Sequence, residues 1–390
     1  MACEQVTLQD VCELIVDCPH TSAKDEGVGY PLIRTPNVGR GRLILTDVHR
    51  VSQDVYERRV SRAVPRQGDL ILAREAPAGN VAIVPPGIEV CLGQRTMLLR
   101  PDLSFVVPEY LNYYLNAPEQ RDRMLRLANG ATVSHINVAD IRNMPVQLPS
   151  RGEQSKVAEL LNVLDDKIDL NNRLNDYLEQ LVDGKFQELF GGLNFNATLS
   201  DVAEITMGQS PAGSSYNEEG AGIIFYQGRG EFGWRFPKRR LYTTEPKRLA
   251  CEGDVLMSVR APVGDLNVAF ENCCIGRGLA AIHSETPSFA LYLMRFLKPQ
   301  LEAYNGEGTV FGSINGKALK SLEVALPSHN EVMQFESFAA SIDALIRSNE
   351  NETRKLNNLR NYLLPKLMSG EIDVSKVDLT QLTNNHLADC

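Results

Sequence analysis

Gln154 to Phe190 reads QSKVAELLNVLDDKIDLNNRLNDYLEQLVDGKFQELF, a stretch without proline in which apolar residues return every three or four positions. That period predicts one long helix, because side chains three and four apart share a face. Val157, Leu160, Leu161, Leu164, Ile168, Leu174, Leu178 and Leu181 fall in one stripe, while Glu159, Asp165, Asp166, Asp169, Arg173 and Glu179 mostly lie outside it. At 1.5 Å per residue such a helix is roughly 55 Å long, more than an ordinary globular domain needs. A second segment of this kind runs from Glu331 to Met368. In it Phe338, Ile342, Leu345, Asn349, Glu352, Leu356, Leu359 and Leu363 alternate by four and three, the spacing of a coiled-coil seam. Asn171 stands where Asn349 stands in the second copy. A buried Asn in a seam fixes register at a cost in stability, an exposed one does not, and the spacing leaves both readings open.

The regions before the helices are duplicated too. VTLQDVCELIVD at Val6–Asp17 matches ATLSDVAEITMG at Ala197–Gly208, and QGDLILAREAPAGNVAIV from Gln67 matches EGDVLMSVRAPVGDLNVAF from Glu252. CLGQRTMLL at Cys91–Leu99 matches CIGRGLAAI at Cys274–Ile282. GATVSHINVADIRNMPVQLPSRGE, ending at Glu153, matches GTVFGSINGKALKSLEVALPSHNE, ending at Glu331. Preserved order and spacing predict two equivalent units, each a globular module followed by a long helix, and divide the chain at 1–150, 151–194, 195–327, 328–370 and a tail 371–390. Short apolar runs at Leu70–Ala73, Val81–Val84, Ile223–Tyr226 and Val255–Val259, bounded by Gly and Pro, predict strands. Val107–Leu127 and Pro287–Tyr304 predict helices, the first opening on Pro108 and Glu109. The fold class is therefore α+β: two modules in tandem, separated by two long helices that pair antiparallel as a coiled coil with pseudo-twofold symmetry. In that arrangement the modules lie at opposite ends of the helix pair.

The 390 residues are long enough for two or three cores, and 43% hydrophobic with 23% charged is ordinary for a soluble protein. No apolar run spans a membrane and the acidic start MACEQVTLQDVCEL does not read as a signal peptide, so the expected address is the cytoplasm. Eight scattered cysteines without a CxxC pair suggest neither a zinc site nor a disulfide framework, and are expected to be buried free thiols. The formal charge of −9 is carried mainly by the helical regions, leaving the modules nearly neutral. Each module nevertheless holds a basic window. Arg34–Arg74 has nine arginines against four acids, and Arg229–Arg248 has seven basic residues against two. Such windows suit an anion-binding face on an acidic protein, and equally a solvated surface.

Catalytic motifs are missing. There is no GxxxxGK[ST] loop, HExxH, GxSxG or NPP[FY]-type tetrapeptide, and the six histidines are isolated from one another. Gly228, Gly230 and Gly233 fit GxGxxG, but Trp234, Arg235, Phe236 and Pro237 follow where a dinucleotide site needs a helix. The chain is expected to perform no chemistry and to bind no cofactor or metal.

What remains is recognition. RTPNVGRGR sets Arg34, Asn37, Arg40 and Arg42 in a Gly-punctuated loop, and arginine and asparagine make bidentate contacts to guanine and adenine. In the second module Tyr226, Gln227, Arg229, Trp234, Arg235, Lys238, Arg239 and Arg240 follow a strand in a similar place. Arg74, Gln94 and Arg95, with Arg260 and Arg277, lie in the repeated AREAPAG/VRAPVG and LGQR/IGRG segments and are further candidates for phosphate or base. Fifteen of the sixteen basic groups before residue 151 are arginines, the side chain suited to planar recognition. For the helix pair, the expected contacts are Leu161, Leu164, Ile168, Asn171 and Leu178 with Phe338, Ile342, Leu345, Asn349, Leu356, Leu359 and Leu363.

The tandem architecture, LPSRGEQSKVAELLNVLDDKIDLNNRLNDYLEQL with its echo from Leu326, the GDLILAREAPAG/GDVLMSVRAPVG pair and the ending LLPKLMSGEI together resemble the specificity subunit of type I restriction-modification systems, from Val6 to Ile372. The resemblance implies two target-recognition domains, each reading half of a split double-stranded DNA sequence, with helices holding them apart. It implies assembly with two modification subunits that bind S-adenosylmethionine and methylate adenine, and with restriction subunits that use ATP and Mg to translocate and cut. It does not identify base-contacting residues. Glu352 departs from the pattern, standing where the first helix has Leu174, which puts perfect helix-pair symmetry in doubt. Two other classes stay open: a self-contained DNA methyltransferase or nuclease, favoured if the purified chain methylates DNA alone, and a non-DNA coiled-coil adaptor, favoured if no sequence-dependent binding occurs.

Overall fold

The computed structural model describes residues 4–75, 77–128, 135–306 and 312–374. Parts of the GATVSHIN and GTVFGSIN repeats (130–134 and 308–311), the terminal Cys3 and Cys390 and most of the tail lie outside the described residues. Contacts divide the chain into two compact units, one made of residues up to Asp169 with those from Thr353 onward, the other of Leu170–Glu352. Each takes one module and part of each long helix, Arg151–Phe190 and His329–Met368.

In the first unit, strands Cys12–Asp17, Thr96–Pro101, Leu70–Ala73, Val81–Ile83 and Gly41–Arg42 form a sheet in that order, antiparallel except for the last pair. Its central LILA run sends alternate side chains to opposite faces, and both faces are covered. Leu70 and Leu72 join Met97, Leu99, Tyr110 and Leu111 on one side, while Ile71 and Ala73 join Leu98, Ile33 and Val38 on the other. Each such leucine contributes about 1.5–3 kcal/mol by leaving water. The helix Pro108–Asn116 starts on a proline, whose missing N–H would be unpaired there anyway. Tyr30–Ile33 runs parallel to Cys91–Leu92 and antiparallel to Arg50–Val51 in a second, smaller sheet.

The second unit repeats the plan. Glu204–Met207, Leu279–His283, Val255–Ser258 and Leu266–Val268 form one sheet, and Ile223–Tyr226 runs parallel to Cys273–Ile275 in the other. The duplication reaches individual hydrogen bonds. Asp10 caps Thr7 as Asp201 caps Thr198. Asp69 accepts from the Arg66 N–H as Asp254 accepts from the Cys251 N–H. Ser150 and Glu153 open the first long helix with the reciprocal side-chain to backbone bonds that Ser328 and Glu331 form at the second. Beneath the second module Phe186, Phe190, Phe289 and Phe335 pack edge-on or tilted, with centroids 5.0 to 6.2 Å apart.

Within each unit the long helices run antiparallel. Arg360 donates to Asp165 in the first, and Asn171 meets Glu352 while Asn175 meets Asn349 in the second. The expected seam needs correction. Leu161, Leu164, Ile168, Asn171 and Asn349 are buried, and Leu178, Ile342, Leu356 and Leu363 are half-buried. Phe338, Leu345 and Leu359 are exposed, and so are Leu174 and Leu181 of the first stripe. Phe335, Ala339 and Ile346 are buried in the second helix instead, and Asn175, Val182 and Phe186 in the first. The reason is that Phe335, Ala339, Val182 and Phe186 belong to the core of the second module, so these turns serve the module as well as the partner helix. Both central asparagines are buried, which decides between the two readings of Asn171 and Asn349. Glu352 accepts from Asn171, so its replacement of the leucine found in the first copy supplies a polar partner.

Among the described residues, Cys18, Cys91, Cys273 and Cys274 are buried and Cys251 is exposed. Burial pushes the Cys12 thiol up to about 12 and that of Cys91 to about 11, which makes both poor nucleophiles. No helix among the described residues is long and apolar enough to cross a membrane.

Candidate nucleic-acid interface

In both units the parallel strand pair ends at a glycine that nothing else can replace. Gly93 donates its N–H to Ile33 O and Gly276 to Tyr226 O, both at 2.8 Å. A Cβ on Gly93 would stand 2.8 Å from the Ile33 carbonyl oxygen, and one on Gly276 2.8 Å from that of Gln227. The residues that follow at these strand ends are Arg34, Gln94 and Arg95 in the first unit and Gln227 and Arg277 in the second; Arg34 is half-buried with its Nε shielded from solvent.

In the second unit these side chains converge. Gln227, Arg229, Arg260 and Arg277, with Ser210 and Ser258, line a cleft of about 230 Å³. A second cleft of about 550 Å³ shares Ser210, Gln227 and Arg277 and adds Gln209 and Tyr216. Gln227, Arg260 and Arg277 are exposed, and among the described residues neither arginine has a carboxylate partner. Arg229 is half exposed and bridges to Asp265 at 2.7 Å. Guanidinium and amide groups facing solvent are donors for phosphate oxygens and base edges, whereas the buried Ser258 hydroxyl already donates to Pro262 O at 2.6 Å. A larger cleft of about 660 Å³ shares Arg229 and adds Asp183, Tyr292, Arg295 and Lys298, but both of its arginines are already held, Arg295 by Glu179 at 2.8 Å and Asp183 at 2.6 Å and Arg229 by Asp265. Size alone therefore does not mark the polar site.

The first unit gathers a looser set. Arg34 is half-buried, Arg40 is exposed, Gln94 donates to His20 O at 3.2 Å and Arg95 bridges to Glu75 at 2.9 Å. Arg95 has φ 66°, in the left-handed region that side chains other than glycine avoid.

Five residues expected at a surface do other work. Asn37 is buried and fastens its own loop by donating to Ile44 O at 3.1 Å. Arg42 is held by Asp166 and Asp169 of the long helix. Arg74 grips Asp17 through both carboxylate oxygens and donates to Ile136 O. Tyr226 is wholly buried in its strand. Arg235 is 4% exposed and is consumed by Glu179, Asp343 and Tyr292 at 3.1 to 3.2 Å. Of the remainder, Arg239 pairs with Glu271 and Arg240 with Glu231, both at 2.6 Å, while Lys238 and Trp234 are exposed. Sequence reading missed Ser210 and Ser258, which carry no motif and join the cleft only through strand placement.

A further surface lies on the first long helix. Leu170, Leu174, Tyr177 and Leu181, spaced four, three and four, are 59%, 38%, 67% and 54% exposed. An apolar stripe of this kind left in water marks a contact surface.

Residues 2–180 and 196–361 each match the type I restriction modification DNA specificity domain. The chain belongs to the type I restriction-modification DNA specificity family. A relative from Methanocaldococcus jannaschii, described as a type I restriction enzyme MjaX specificity subunit, is 31% identical over 94% of this chain and 93% of its own. The EcoKI specificity subunit of Escherichia coli is 22% identical over 90% and 86%. The crystal structure of the type I system S subunit from M. genitalium has the same fold, with TM-score 0.63 at 15% identity over 94% of this chain and 96% of that one. The two matched stretches of the specificity domain coincide with the two copies of the internal repeat.

Proposed function

We propose that this specificity subunit reads a bipartite double-stranded DNA sequence, one half-site per module, and carries no catalytic activity of its own. The observation that supports this is the repeated strand-end surface, where Arg34 and Gln94 in one module correspond to Gln227 and Arg277 in the other, joined by Arg95 in the first and Arg260 in the second. Two related surfaces with different side chains suit two different half-sites, with arginine contacts to phosphate giving a steep salt dependence. Arg40, Arg229, Trp234, Lys238, Arg239 and Arg240 are the outlying members of these surfaces.

Modification subunits are the partners we assign to the stripe Leu170, Leu174, Tyr177 and Leu181. They, and restriction subunits, supply the S-adenosylmethionine, ATP and Mg that methylation and cleavage need. Extruding an adenine for methylation divides the labour, since this chain reads flanking bases while another subunit holds the flipped one. Methylome sequencing of cells with and without the gene tests the reading. Loss of one bipartite adenine-methylated motif is the expected result. An unchanged methylome in cells that express the modification subunits would refute it.

A further inference from the structure

The two copies of the repeat solve one local problem differently. Asp69 is 3% exposed and Asp254 5% exposed, and each uses one carboxylate oxygen to accept from the backbone N–H three residues earlier. In the first copy the strand opposite supplies Arg100, which grips Asp69 at 2.8 and 2.9 Å and closes the site with a permanent cation. The registers Leu70 with Leu99 and Val255 with Ile282 place His283 where Arg100 stands. His283 Nδ1 lies 2.6 Å from Asp254 Oδ1, and Cys251 replaces Arg66 at the start of the turn. A thiol, a carboxylate and an imidazole then have ligand atoms within 4.8 Å of one another. Unlike guanidinium, imidazole has an in-plane lone pair to give.

We propose that Cys251, Asp254 and His283 bind a borderline divalent cation such as Zn²⁺ or Co²⁺. Sulfur and nitrogen donors select that class over Mg²⁺ and Ca²⁺. Around a tetrahedral ion such ligand atoms stand about 3.3 to 3.6 Å apart, so the His283–Asp254 pair opens slightly and the exposed Cys251 thiol closes in. Asp254 Oδ2 stays on the Cys251 N–H, leaving Oδ1 for the ion. Water, or Glu204 opposite His283 in the strand register, completes the coordination. The cation would clamp the turn at Cys251 to the end of strand Leu279–His283, as Arg100 does in the first copy. Sequence spacing gave no sign of the site because its ligands are split between the turn before strand Val255–Ser258 and the end of strand Leu279–His283.

The test is titration of the full-length, chelator-stripped protein with Co²⁺ alone, read by absorption and by alkylation of Cys251. One Co²⁺ per chain is expected, with a thiolate charge-transfer band, tetrahedral visible bands and protection of Cys251. All should be lost in Cys251→Ser and in His283→Arg. His283→Arg rebuilds the ion pair of the first copy, so an unchanged circular dichroism spectrum and melting temperature separate loss of a ligand from loss of fold. No thiolate band, a band that survives Cys251→Ser through another thiol, or Co²⁺ binding unaffected by His283→Arg would each overturn the proposal.

Discussion

Asn349 donates its side-chain amide to Asn175 Oδ1 at 2.8 Å, with the two side chains 8% and 1% exposed. Asn175 passes its own amide on to Glu350 at 3.3 Å. Removing one partner strands a buried acceptor, so Asn349→Ala should cost about 1–3 kcal/mol in urea unfolding. Replacing both asparagines by leucine removes the polar groups together and should recover most of that loss. A double variant whose loss equals the sum of the two single losses would show that the pair is not coupled.

Arg235 tests the boundary between holding and reading. It lay in the basic window of the sequence, yet its guanidinium is enclosed by Glu179, Asp343 and Tyr292. Arg235→Met leaves the half-buried Asp343 without its cation, while Glu179 keeps Arg295, and should lower stability by about 1–3 kcal/mol. The methylated motif should stay the same at a temperature where the variant is folded. A changed motif with unchanged melting temperature would reassign Arg235 to base recognition.

The apolar stripe makes a different prediction, because its residues do not hold the module together. Leu174→Glu with Tyr177→Asp should leave the unfolding free energy within about 0.5 kcal/mol of the parent, as surface changes do. Co-purification with the modification subunit should fall sharply. Undiminished co-purification would place that partner elsewhere.

How far the sequence was legible follows from these cases. The long helices and the duplication were visible because period and order are written along the chain, and Leu70–Ala73 was readable as a strand from its apolar run. The helix seam was readable only as far as Asn171. Beyond it a helix facing both a partner and its own module buries Val182 and Phe186, which a single-stripe pattern assigns to neither. Arg74, Arg235 and Arg277 are alike as residue types. What separates them is a carboxylate brought close by the fold, such as Asp17 or Asp343, and that proximity has no local signature.

Arg277 is the cation among the residues, with Ser210 and Gln227, that line both adjoining clefts of the second module. Arg277→Ala should weaken DNA binding by the assembled complex. If the contact is to phosphate, the slope of log K against log salt becomes shallower by about 0.9 and non-specific DNA is affected equally. If it is to a base, specific DNA alone loses about 1–3 kcal/mol. Unaltered binding to both DNAs would remove Arg277 from the interface.

Arg95 joins backbone strain to recognition in the first module. Its φ of 66° is held while its carbonyl accepts from the Arg74 N–H at 2.8 Å, the same bond that Gly278 O makes with Val259 N–H at 3.0 Å in the second copy. Any Cβ at this φ crowds the following carbonyl by roughly 1–2 kcal/mol, a cost that glycine does not incur. Arg95→Ala and Arg95→Gly remove the same guanidinium and the same exposed bridge to Glu75, so their DNA affinities should fall together. Their stabilities should separate, with the glycine variant higher by about 1 kcal/mol although glycine ordinarily costs that much in the unfolded chain. Equal stabilities would mean that the turn relaxes once the arginine is gone, and that the bridge to Glu75 rather than the backbone bond to Arg74 sets the conformation at Arg95.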